Sequence, residues 1–182
     1  MGYAVAAAAA AAGHEVTLLT GPVALAPPAG CEVVRFVSVD DLKQALAVRF
    51  GDCDVLVMAA AVGDFRPERR VEGKIPRSGG PVTLQLVPTE DLLAGLAGGK
   101  RAGQVVVAFA VEDPPLERAE ARARAELAAK GADLVVVNTP AAMGAEESDA
   151  CILSPRGTAV PWGRRGKQQL AEEIVKLLGD GT

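Results

Sequence analysis

Two hydrophobic periods alternate along this chain. Short runs of β-branched and aliphatic residues, His14–Thr20 (HEVTLLT) and Glu32–Val37 (EVVRFV), predict strands. Between them lie stretches with apolar residues three and four apart, the period of a helix buried on one face. Tyr3–Ala12 is one such helix, ended by Gly13 at the position where a left-handed residue stops a helix. Ser38-Val39-Asp40-Asp41 has the spacing of a capping box and opens a helix to about Arg49. Asp54–Val62 is continuously apolar, as a strand buried on both faces would be. Pro81–Val87 alternates and predicts a strand near a sheet edge. Thr89, followed by Glu90 and Asp91, predicts the cap of a short helix.

The same alternation continues to the end. Gln104–Glu112 predicts a buried strand, and Leu116–Lys130 a charged helix stopped by Gly131. Asp133–Asn138 predicts a strand and Ala150–Pro155 (ACILSP) a short one, with Gly144–Asp149 loose between them. The stretch 167–179 is an amphipathic helix with Leu170, Ile174, Leu177 and Leu178 on one face. Strands that alternate with helices predict a single α/β domain over residues 1–182. Its core is a doubly wound, mostly parallel, Rossmann-like sheet with helices on both faces and an antiparallel edge extension. The pattern opens on a helix, whereas such folds normally open on a strand and a Gly-rich turn, so either this fold differs or the start of the natural chain lies before residue 1.

Composition narrows the chemistry. Nearly half the residues are apolar but only 3% are aromatic, so Val, Leu and Ala must build the core. The net charge of −4 and the absence of a basic stretch argue against nucleic acid as a partner. Tyr3–Ala12 is too short to span a bilayer and lacks a basic flank, so neither membrane nor signal peptide is expected, and the compartment expected is the cytoplasm. Cys31, Cys53 and Cys151 are isolated, without metal-ligand spacing, and read as small buried hydrophobes.

In an open parallel sheet, ligands bind beyond the carboxyl ends of the strands. Gly21-Pro22, Gly63-Asp64-Phe65-Arg66, Val111-Glu112-Asp113 and Asn138 follow predicted strands and should share one rim. Asp64 can bind Mg²⁺ or a ribose hydroxyl, or merely cap a turn or pair with Arg66. Lys74 can meet a phosphate, or be one solvated cation beside Arg69, Arg70 and Arg77. Phe65 is either a lid over a base or ordinary packing, and Asn138 either faces a ligand or satisfies local backbone groups. His14, the one histidine, falls on the opposite rim, which removes His-dependent nucleophilic triads.

Several segments in one order carry a resemblance: MGYAVAAAAAAAGHEVTLLTGPVAL, AAAVGDFRP with KI ten residues after the Asp, LVPTEDLLAGL, VVAFAVED, DLVVVN and GKQQLAEEIV. Together they resemble phosphopantothenoylcysteine synthetases, the ligase half of the bacterial bifunctional coenzyme A biosynthesis decarboxylase/synthetase, over essentially the whole chain. The resemblance implies a ligase that joins 4′-phosphopantothenate to cysteine. CTP is its co-substrate, Mg²⁺ its cation and an acyl-cytidylate its intermediate. It places Asp64 as the nucleotide- and cation-binding acid, Lys74 as a catalytic loop lysine, and Ala60, Ala61, Phe65 and Phe109 beside the nucleotide. Gly2, Gly21, Pro22 and Asn138 match substrate-side positions. It further implies a first strand and an Asn- and Gly-rich phosphate loop before residue 1, a homodimer to which Pro81–Val87 contributes, and a fused or associated flavin-dependent decarboxylase.

Some positions depart from the family pattern. Gly63 stands where Ala is usual, Pro76 where a second Lys is usual, and FAVED replaces FAAET. Pro76 stiffens the loop that carries Lys74. Two rival readings remain at this stage, an NAD(P)-dependent reductase and a non-catalytic nucleotide-binding module. The first would need an acid at the end of the strand that here ends Thr20-Gly21.

Overall fold

The computed structural model describes residues 1–77 and 80–179. Five strands form the main sheet in the order β3 (Val55–Met58), β6 (Val105–Val111), β7 (Leu134–Asn138), β8 (Glu147–Ser154) and β9 (Gly157–Gly166). The first three run parallel, and β8 and β9 add antiparallel partners at one side. A parallel pair, β1 (Val16–Thr20) and β2 (Cys31–Arg35), lies beyond β3. A small antiparallel ribbon joins β4 (Phe65–Pro67) to β5 (Leu86–Pro88).

Strand alternation sorts the core into two layers. Val107, Leu134 and Val136 face α1 (Gly2–Ala11) and α5 (Lys167–Gly179), where Val5, Leu170 and Ile174 meet them. Val106, Ala108, Val135 and Val137 face the other way, onto Ala123 and Leu127 of α4 (Leu116–Ala129) and Leu93 of α3 (Leu92–Ala97). All five residues of β7 are buried, as a central parallel strand covered on both faces must be. The expectation of helices on both faces of a mostly parallel sheet therefore holds.

Local signals set most boundaries. At the end of α1, Gly13 takes φ +88°, its N–H reaches the Ala10 carbonyl and the His14 N–H the Ala9 carbonyl, a Schellman closure. Gly131, at φ +58°, ends α4 in the same manner. Ser38 caps α2 (Val39–Arg49) with a full capping box, Asp41 N–H to Ser38 Oγ and Ser38 N–H to Asp41 Oδ2. α1 lies over both β1 and β3, through Tyr3 on Thr20 and Val5 near Val57. On the opposite face, Leu42 and Leu46 of α2 form one cluster with Leu92, against which Leu19, Leu56 and Met58 pack. Among the described residues, β1 pairs only with β2 and β3 only with β6, so facing strand edges stand unpaired between these two helix layers.

Four expectations are corrected. The strand expected over Asp54–Val62 contracts to Val55–Met58, and with helices on both faces it is still only half-buried, because among the described residues one of its edges has no partner. Of Pro81–Val87 only the end is a strand, Leu86–Pro88, and it pairs with Phe65–Pro67 instead of edging the main sheet. Asp91, not Thr89, caps α3, its carboxylate accepting from Leu93 N–H and Ala94 N–H at 3.0 Å each. The segment expected to be loose before Ala150 joins an eight-residue β8, and β9, absent from the predicted elements, pairs along it. Three glycines and a proline in Gly157–Gly166 hide that strand from any propensity argument.

Candidate functional site

The carboxyl ends of β1 and β3 meet at the start of α1. Tyr3 Oη lies 2.9 Å from Oγ1 of Thr20, the last residue of β1. A Cβ placed on Gly2 would lie 3.6 Å from the Ala59 methyl, one residue past β3. Gly21-Pro22 leave β1 here, and Ala60-Ala61, both exposed, leave β3 here. Gly21 is closely fitted, since a Cβ would stand 3.4 Å from the Phe36 ring. α1 begins without a side-chain cap, so its first N–H groups remain available to an anion. Gly2, Gly21, Pro22, Ala60 and Ala61 are thus brought together.

From Val62 the chain turns outward into the ribbon, and Asp64 stands at the turn. Thr89 N–H donates to the Asp64 carbonyl at 2.8 Å, and Thr89 Oγ1 donates to the Gly63 carbonyl. The Asp64 side chain is exposed, and among the described residues no ion pair or hydrogen bond engages its carboxylate. The expected alternative of a pair with Arg66 is therefore not realised. Among the described residues no three His, Cys, Asp or Glu side chains converge into a metal cage. A lone exposed carboxylate nonetheless fits Mg²⁺, which commonly takes one or two carboxylates and completes its shell with phosphate oxygens and water.

Phe65 is 62% exposed, which removes ordinary core packing as its role. Lys74 is exposed in the segment that joins the two ribbon strands, on the same arm as Asp64. Arg66 lines a cleft of about 420 Å³ between the ribbon and the start of α2, with Ser38, Lys43, Thr89 and Glu90. An ion pair between Lys43 and Glu90 crosses this cleft and ties the outlet of β5 to α2.

A second group lies at the ends of β6 and β7. Asn138 is 5% exposed, and its Oδ1 accepts a 3.4 Å hydrogen bond from Ser148 Oγ. Its carbonyl accepts from Glu112 N–H at 2.9 Å, and the Glu112 carboxylate, itself largely buried, meets Arg122 at 3.1 Å. Beside them Asp113, Pro115, Leu116, Thr139 and Asp149 line a cavity of about 660 Å³. Phe109, which the resemblance places beside the nucleotide, is not brought to this rim. It lies two residues inside β6, half-buried against the α1–α5 layer, because the strand runs on to Val111. Burial, with Glu120 nearby, pushes the Cys151 thiol up to about 12, so no thiolate nucleophile forms there.

Sequence reasoning missed the contacts of Thr89, the Lys43–Glu90 pair and the Ser148 contact to Asn138. The ribbon register, Phe65 opposite Pro88, would have pointed to Thr89 beside Asp64, but that pairing is not local in sequence.

The model of the DNA/pantothenate metabolism flavoprotein C-terminal domain matches residues 1–180. The coenzyme A biosynthesis bifunctional protein CoaBC of Mycobacterium tuberculosis is 38% identical over 188 residues, covering 97% of this chain and 45% of that protein. The Bacillus subtilis protein of the same name is 39% identical over 146 residues, covering 80% of this chain and 35% of its own length. The chain thus spans less than half the length of these relatives. A crystal structure of a CoaBC C-terminal domain superposes with a TM-score of 0.77 at 28% identity, covering 97% of this chain and 79% of that one. This chain belongs to the DNA/pantothenate metabolism flavoprotein C-terminal domain family.

Proposed function

We propose that this chain is a phosphopantothenate–cysteine ligase domain acting in coenzyme A biosynthesis, with CTP as activating nucleotide and Mg²⁺ as its cation. Family membership supports the reaction class. The observation that carries the site is the meeting of Gly2, Gly21 and Ala60-Ala61 at the uncapped start of α1, with Asp64 on the chain leaving β3.

A carboxylate is a poor acyl donor, because its own oxygen leaves as an oxide. In the proposed reaction the carboxylate of 4′-phosphopantothenate attacks the α-phosphate of CTP and pyrophosphate leaves. The amine of cysteine then attacks the acyl-cytidylate carbonyl. CMP leaves with the bonding pair, the ammonium proton passes to solvent, and an amide remains. Such chemistry asks a protein for positioning and charge neutralisation rather than a nucleophile. The start of α1 faces the phosphates, the exposed ring of Phe65 covers the base, and Lys74 approaches the charge that builds on the departing pyrophosphate. Asp64 would hold Mg²⁺, which when bound offsets phosphate charge.

Among the described residues the facing edges of β1 and β3 are unpaired, which supports seating between them one further parallel strand, the first strand that the resemblance implies before residue 1. Val82, Leu84 and Leu86, all more than half exposed, support a homodimer built on the ribbon arm. A cytoplasmic setting and a flavin-dependent decarboxylase partner complete the reading. Among the described residues no helix is long and apolar enough to cross a membrane.

The test is ligation of 4′-phosphopantothenate to cysteine by the full-length protein, followed as CMP and pyrophosphate release, alongside thermal shifts with CTP, ATP and NADH, each with Mg²⁺. CTP-dependent product and preferential stabilisation by CTP are expected. Stabilisation by NADH alone, without ligation, would replace the ligase with a reductase.

A further inference from the structure

We infer that Thr89 is a positioning residue for Asp64: it orients the carboxylate toward the metal-bound nucleotide. The inference rests on the role of Asp64 proposed above. The two peptide units that share the Asp64 Cα are both held by this one residue. Its hydroxyl donates to the Gly63 carbonyl, and its own N–H donates to the Asp64 carbonyl at 2.8 Å. With the peptide planes on either side fixed, the direction of the Asp64 Cα–Cβ bond is fixed too.

That clamp matters because, among the described residues, nothing else steadies Asp64. Asp64 is exposed, Gly63 before it has wide backbone freedom, and among the described residues no side chain grips its oxygens. Thr89 is itself well anchored. It lies one step past the Phe65–Pro88 pair of the ribbon, and the next residue, Glu90, is tied to Lys43 of α2. Its hydroxyl is also free of helix capping, since Asp91 caps α3. A threonine in a capping-like sequence is thus diverted to hold the chain beside a ligand-facing acid.

The test compares the full-length wild type with Thr89→Val, Thr89→Ala, Thr89→Ser and Asp64→Asn. CTP binding is measured by calorimetry across a Mg²⁺ titration, with thermal stability recorded in parallel. Thr89→Val and Thr89→Ala should raise the Mg²⁺ concentration for half-maximal CTP binding on the order of tenfold, and Thr89→Ser should stay within about twofold of wild type. A ribbon-stabilising role alone would lower the melting temperature and leave the Mg²⁺ midpoint in place. The inference is overturned if the Val and Ala variants keep the wild-type midpoint while Asp64→Asn shifts it, or if Ser fails to restore it. If Asp64→Asn itself leaves the midpoint unmoved, the assignment of Asp64 falls first and this inference falls with it. Should Thr89→Val not fold, the Ala and Ser variants make the same comparison.

Discussion

Replacing Gln104 with Met should destabilise the domain by about 3 kcal/mol, because its side-chain hydrogen bonds vanish at a site that excludes water. Gln104 is 4% exposed. Its Nε2 donates to the Phe50 carbonyl at 2.6 Å and the Cys53 carbonyl at 2.8 Å, and its Oε1 accepts from Arg101 N–H at 3.0 Å. These bonds join the end of α2 and the entry to β3 onto the start of β6, and so align the strand whose outlet bears Asp64. Each is worth about 1 kcal/mol net, and the stranded Phe50 carbonyl adds a desolvation cost of about 1 kcal/mol or more, offset in part by the apolar Met filling the space. For a domain of this size the melting temperature should fall by roughly 6–12 °C. Thermal unfolding followed by circular dichroism, with urea unfolding at one temperature, measures it, and an unchanged m-value would show that only stability moved. Gln104→Glu should cost at least as much, since a carboxylate would face two carbonyl oxygens. A melting temperature within about 2 °C of wild type for Gln104→Met would refute the reasoning, because it would mean that those carbonyls find other donors.

Lys74→Gln should cut ligation turnover about a hundredfold while weakening CTP affinity much less, which single-turnover kinetics and calorimetry separate; a wild-type rate would end the assignment. Asp41 is held below its ordinary value of 3.8 by the Ser38 N–H first, then the Ser38 side chain and the Val37 N–H. A depressed carboxylate contributes stability above its unfolded pKa and loses it as pH falls through the folded one. Acid should therefore weaken wild type more than Asp41→Asn below about pH 4, and parallel urea midpoints from pH 7 to pH 3 would contradict this. Cys151, wholly buried and with its thiol pushed up to about 12, should resist iodoacetamide at pH 8 in the folded protein and react on unfolding. Peptide mass spectrometry reads the difference, and native labelling at the unfolded rate would contradict the burial argument.

Sequence alone determined what local physics controls. Gly13 and Gly131 ended their helices because both the left-handed turn and the closing hydrogen bonds lie within a few residues. Ser38 and Asp41 made their capping box for the same reason. The apolar runs of β6 and β7 announced buried parallel strands, and with them the rim on which Asn138 stands. Tertiary structure decided what depends on a partner far along the chain. Val55–Met58 stopped short because among the described residues one edge lacks a neighbour, whereas Gly157–Gly166 became a strand despite its glycines because β8 lies beside it. Thr89 carried a capping signal that Asp91 satisfied instead, and the ribbon register then set its hydroxyl on Gly63. Hydrophobic period and capping are written within one or two turns of chain. Pairing and register are chosen by the competition among distant edges, and there the backbone on either side of Asp64 was settled.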